Sequence, residues 1–66
     1  MQVTVNEEFL QLTPGTSLQG MLVQLQQDKP GVAVALNQQV VARSQWSQIT
    51  LNGGDQITLF HAIAGG

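Results

Sequence analysis

Apolar residues recur at helical spacing in only one stretch of this chain, between the proline–glycine breaks Pro14-Gly15 and Pro30-Gly31. Leu18, Met21, Leu22 and Leu25 form a single stripe there. A lone stripe has to be buried against something, and the segments around it read as strands. The arrangement that satisfies this is α+β, with one helix laid across one face of a small mixed sheet of four to five strands. Thr16 is placed as the N-cap, and Gln19 three residues later completes a capping-box pattern. Gly20 inside the helix costs about 1 kcal/mol relative to alanine. Pro30-Gly31 ends the helix by Lys29 at the latest.

The strands are read from period-two patterns. Met1, Val3 and Val5 alternate with Gln2, Thr4 and Asn6, which makes residues 1–6 a half-buried strand. Asn6-Glu7-Glu8 is a polar turn, and Phe9 to Leu12 completes a hairpin with Leu10 and Leu12 inward. That leaves Phe9 at an edge or against a loop. Val32, Val34 and Leu36 share a face of the next strand, and small Ala33 and Ala35 make its other face flat. After the turn Asn37-Gln38-Gln39 comes a short strand, Val40-Val41-Ala42. A loop carrying Arg43 and Trp46 follows, with Ile49 and Leu51 as isolated anchors. Asn52-Gly53-Gly54-Asp55 is a strong turn signal. The last strand, Gln56 to His61, points Ile57 and Leu59 inward and Thr58 and Phe60 outward.

A chain of 66 residues makes one small domain, here residues 1–61 with a short tail, residues 62–66. It has no cysteine, so its stability has to come from an ordinary core. The apolar fraction of 42% can supply one. The charged fraction is only 9%, with Lys29 and Arg43 the sole basic residues, so no basic stripe exists to bind nucleic acid. No apolar run is long enough to span a bilayer. Met1 leads straight into a strand pattern without the regions of a signal peptide, so a cytoplasmic protein is expected.

Catalysis by this chain is poorly provided for. A covalent mechanism needs a nucleophile with a base in reach. There is no cysteine, and His61 is the only histidine, read as a surface or partner-contact residue. Glu7 and Glu8 are neighbours in a turn and point different ways, and Asp55 is assigned to its turn. No Cys/His cluster indicates a metal. The chain is read as a non-enzyme that binds no cofactor or metal itself.

The ending Ala62-Ile63-Ala64-Gly65-Gly66 points elsewhere. Neither Gly65 nor Gly66 has a Cβ, so both can approach another backbone closely. Extended, the five residues reach about 17 Å, enough to thread a carboxylate into another protein's active site. Read this way, residues 62–66 form a flexible tail.

The ββαββ(β) order ending in Gly-Gly resembles the ubiquitin-like β-grasp fold. Finer features are similar to the ThiS family, the sulfur carriers of thiamine biosynthesis. These are Met1-Gln2-Val3 with Asn6, the run Ala35-Leu36-Asn37-Gln38-Gln39-Val40-Val41, Arg43 with Trp46, Gly54-Asp55-Gln56-Ile57, and Ala64-Gly65-Gly66. The chain departs from the family pattern at Ala42, where proline is common. The resemblance implies that a ubiquitin-activating-like enzyme adenylates the Gly66 carboxylate, using ATP and magnesium held by that enzyme, with Gly65 as the required neighbour. A sulfur donor, such as a persulfide derived through a cysteine desulfurase, then replaces AMP to leave a thiocarboxylate, which thiazole synthase consumes. Two alternatives stand beside it: the small subunit of molybdopterin synthase, and a ubiquitin-like binding module whose tail is never activated.

In the grasp fold the last strand lies beside the third. Phe60 would then sit near Ala33 and Ala35 on the uncovered face, so a docking patch of Ala33, Ala35, Thr58 and Phe60 is expected. Trp46 is expected to be a lid over the core. Arg43 is left to pair with a partner's acidic group or to lie in solvent.

Overall fold

The structure, a computed structural model, describes residues 1–61. Five strands form one mixed sheet: β1 (Gln2–Val5), β2 (Glu8–Gln11), β3 (Val32–Leu36), β4 (Gln39–Val41) and β5 (Gln56–His61). Their order across the sheet is β2-β1-β5-β3-β4. This is the β-grasp arrangement, with the last strand in the middle. β5 runs parallel to β1 and antiparallel to β3.

A single helix, α1 (Leu18–Gln24), covers one face. Its stripe behaves as the spacing predicts: Leu18, Met21 and Leu22 are fully buried and Leu25 is half-buried. From the sheet, Val3, Val32, Val34 and Ile57 close on them, and Leu12, just past β2, and Leu51, in the loop before β5, join them.

The helix starts one residue later than the capping box predicts. Ser17 is the N-cap, and its Oγ accepts from the Gly20 N–H at 3.0 Å. Thr16 instead turns its hydroxyl back to the Thr13 carbonyl at 2.7 Å. The cause is tertiary. Leu18 N–H donates to the Ile49 carbonyl and Leu51 N–H to the Thr16 carbonyl, so residues 16–18 are paired with the chain before β5. Backbone held extended through Ser17 cannot turn helical before Leu18. The cap also explains Gly20, because a Cβ there would come within 3.3 Å of the Ser17 Oγ.

The helix ends well short of the proline. Gln26 N–H donates to the Val23 carbonyl and Gln27 N–H to the Leu22 carbonyl, the paired bonds of a Schellman motif. Gln26 takes the left-handed position that glycine usually fills, at φ +59°.

Both hairpins are tighter than the polar runs imply. Asn6 and Glu7, and likewise Asn37 and Gln38, all have positive φ, as a two-residue I′ turn requires. Glu8 and Gln39 are therefore strand residues, paired with Val5 and Leu36. Ala42 falls outside β4 and leads into a 3-10 helix, Arg43–Gln48, where an irregular loop is the sequence expectation. Trp46 on that helix is 1% exposed. It packs into the core as expected, and its Nε1–H donates to the Val41 carbonyl at 3.3 Å.

Candidate functional site

Strand alternation decides what lies on the side of the sheet away from α1. Opposite the inward Ile57 and Leu59 come Thr58 and Phe60, and opposite Val32, Val34 and Leu36 come Ala33 and Ala35. The β3–β5 register aligns Ala33 with Phe60 and Ala35 with Thr58. The structure thus brings all four predicted patch residues together on the uncovered face. Phe60 keeps 40% of its surface exposed, while both alanines are half-buried. The result is an accessible ring above a floor of small side chains.

Two further apolar side chains share that face and are missing from the predicted patch. Val40 aligns with Ala35 and is 73% exposed. Phe9 aligns with Thr4 on the far strand pair and is 76% exposed. The signal for both was available. Phe9 alternates against the inward Leu10 and Leu12, and the short turn at Asn37-Gln38 fixes Val40 opposite Ala35.

β5 is held on both flanks by the asparagine that opens each hairpin turn. On the β3 side, Asn37 N–H donates to the Gln56 carbonyl at 2.7 Å, and its Oδ1 accepts from the Gln56 N–H at 2.9 Å. On the β1 side, Asn6 N–H donates to the Ile57 carbonyl at 3.0 Å, and its Oδ1 accepts from the Leu59 N–H at 2.8 Å. Asp55 serves the turn assigned to it, accepting from the Asn52 N–H at 2.7 Å. Its other oxygen accepts from the Asn37 carboxamide at 3.2 Å.

Arg43 lies exposed, as one of its two readings has it, but its guanidinium is not idle there. Its guanidinium lies 4.6 Å from the centre of the Trp46 ring and donates to the Lys29 carbonyl at 2.6 Å and the Asp28 carbonyl at 3.4 Å. It fastens the loop between α1 and β3 to the 3-10 helix.

A groove opens between the end of α1 and the first hairpin, lined by Val5, Asn6, Glu8, Phe9, Leu10, Leu25, Gln27, Leu59 and His61. Its ionisable groups are Glu8 and His61, and it contains no serine, threonine or cysteine to act as a nucleophile. Among the described residues, no group of three or more His, Cys, Asp or Glu could hold a metal ion. No described helix is long and apolar enough to cross a membrane. Gly65 and Gly66 lie outside the described residues. β5, which leads to them, ends at His61, in register with Val32.

The family model described as the ThiS family matches residues 2–66. The sulfur carrier protein ThiS of Escherichia coli (strain K12) is 46% identical over 66 residues, all of both chains. Two proteins named thiazole synthase also match the whole chain. That of Magnetococcus marinus is 36% identical and that of Paramagnetospirillum magneticum 29%, and in each the matched stretch is 20% of the protein's length. The crystal structure of thiamine biosynthesis protein ThiS from Geobacter metallireducens superposes with a TM-score of 0.87 at 25% identity, over 100% of both chains.

Proposed function

The chain belongs to the ThiS family, and from that premise we infer that it is the sulfur carrier protein of thiamine biosynthesis. The observation that carries this reading is the 46% identity, end to end, with a protein that bears that name. Sulfur travels on the C-terminal carbon of Gly66. A terminal carboxyl group is ionised at neutral pH. As a carboxylate it attacks phosphorus readily but resists attack at its own carbon. Activation therefore comes first: a Gly66 oxygen bonds to the α-phosphorus of ATP and pyrophosphate leaves. The resulting acyl adenylate has AMP as a leaving group, which a sulfur nucleophile such as a desulfurase-derived persulfide displaces to give an acyl disulfide. A second thiol then attacks its S–S bond, releasing the thiocarboxylate and itself ending in a disulfide.

Phosphoryl chemistry of this kind needs magnesium and an array of cationic or backbone donors. With Lys29 and Arg43 its only basic residues, and Arg43 committed to backbone carbonyls, the chain is poorly equipped to supply that array. A separate ubiquitin-activating-like adenylating enzyme holds the ATP and magnesium, and this chain is its substrate, working in the cytoplasm. The matches within two thiazole synthases support thiazole synthase as the acceptor of the sulfur.

Ordering a free tail costs about 1–2 kcal/mol per residue, and alanine and glycine side chains return little of it. Affinity for both partners therefore comes from the folded body, through the patch of Ala33, Ala35, Thr58 and Phe60. Gly65 and Gly66 pass where a side chain would obstruct the partner's channel.

Intact-mass analysis after incubation with ATP, the adenylating enzyme and a sulfur donor tests the reading. The chain should gain the mass difference between sulfur and oxygen, and deleting Gly66 should abolish the gain. A Gly66-deleted chain that still supports thiazole formation would return the reading to a plain binding module.

A further inference from the structure

Once β1 turns away, only one side of β5 keeps a strand neighbour. β1 pairs with β5 at Thr4–Gln56 and Val5–Ile57 and then enters its hairpin turn, whereas β3 stays in register as far as His61. In a parallel ladder that continued, Asn6 N–H would donate to the Ile57 carbonyl, and Leu59 N–H would donate to the main-chain carbonyl of residue 6. The first of these bonds is present at 3.0 Å. For the second, the left-handed turn at Asn6 (φ +49°) carries its carbonyl off the ladder, and the side-chain Oδ1 accepts from Leu59 N–H at 2.8 Å instead. A side chain thus adds one rung to the sheet, two residues before β5 ends.

We propose that Asn6 is a positioning residue for the carrier reaction, fixing the last segment of β5 and hence the point and direction from which residues 62–66 leave the body. This rests on the carrier reading above. The reacting carbon must reach the phosphorus of ATP bound in another protein, and a short tail magnifies any looseness at its base. Effective alignment of reacting groups is where much of such a rate resides.

The molecule contains its own control. Asn37 opens the other hairpin with the same φ of +49° and the same two kinds of bond to β5, but it grips Gln56, at the end away from the tail. Glycine at either position keeps the left-handed turn and removes only the carboxamide. Asn6→Gly should lower kcat for adenylation about five- to tenfold with KM nearly unchanged, in line with one lost positioning bond. Asn37→Gly should leave both constants near wild type at a loss of stability at least as large, since its carboxamide also donates to Asp55. Asn6→Asp retains an acceptor oxygen and should restore most of kcat. In parallel, the NMR order parameter of the His61 amide should fall in Asn6→Gly and hold in Asn37→Gly.

Equal kinetic losses in the two glycine variants would show a merely structural role and overturn the proposal. Should the wild-type chain form no adenylate at all, the carrier reading fails. The His61 amide then decides this inference alone: unchanged order in Asn6→Gly refutes it, and a selective loss upholds Asn6 as the anchor of the exit.

Discussion

Replacing Phe60 by aspartate separates docking from folding, because the ring stands on the uncovered face rather than in the core. With 40% of its surface exposed, Phe60 gives the isolated body limited stability. Exchanging an aromatic for aspartate on a strand costs about 1 kcal/mol in propensity and cross-strand contact with Ala33. A domain of this size has roughly 3–10 kcal/mol to lose, so the variant should stay folded. Binding should suffer more. A central aromatic anchor is worth about 2 kcal/mol or more on truncation, about thirtyfold in Kd. The new carboxylate adds a desolvation cost once a partner covers it. Titration calorimetry against the adenylating enzyme and against thiazole synthase should therefore show Kd raised at least about thirtyfold for both. Phe9→Asp lies on the same face but on the outer strand pair, and it should weaken binding less. An unchanged Kd for Phe60→Asp, with a native circular dichroism spectrum and urea midpoint, would remove the patch from the docking surface.

Two further substitutions test the body. Gln26→Gly should stabilise it by about 0.5–1 kcal/mol, because it relieves a left-handed side chain that costs about 1–2 kcal/mol, less the entropy glycine restores to the unfolded chain. Urea titration measures this, and a lower midpoint would mean that Gln26 makes a compensating contact. Trp46→Ala should cost about 3–5 kcal/mol by leaving a cavity under the 3-10 helix, and should leave much of the chain unfolded at 37 °C by circular dichroism. A small effect would contradict the placement of the indole in the core.

The features legible in the sequence were those set by local pattern and by the sheet's period. Alternation alone assigns Val32, Val34, Ile57 and Leu59 to one face and Ala33, Ala35, Thr58 and Phe60 to the other, and the structure agrees. The features that escaped it depend on what the backbone meets from afar. Ser17 displaces Thr16 as the cap because residues 16–18 pair with the chain from Ile49 to Leu51, some thirty positions away. Arg43 finds the carbonyls of Asp28 and Lys29 because the 3-10 helix passes beneath that loop, and no local rule places it there. The asparagines Asn6 and Asn37 are plain turn residues by composition. Their second role, as acceptors for β5, exists only once the last strand has entered the middle of the sheet.

That late entry ties the proposed halves of the function together. Phe60 and the strand leading to residues 62–66 belong to the same element, and side chains on a strand alternate between faces. A slip of one residue in the β3–β5 pairing would turn Phe60 toward α1 and bring His61 to the uncovered face. The same slip would move the base of the tail by about 3.3 Å. The proposed docking face and exit point are therefore one variable, set by the register of β5. Toward the tail the side-chain hold on β5 is the Asn6 carboxamide on Leu59 N–H, while Asn37 holds Gln56 at the far end. On the proposed reading, the separation of patch and end-group is then set within β5 itself.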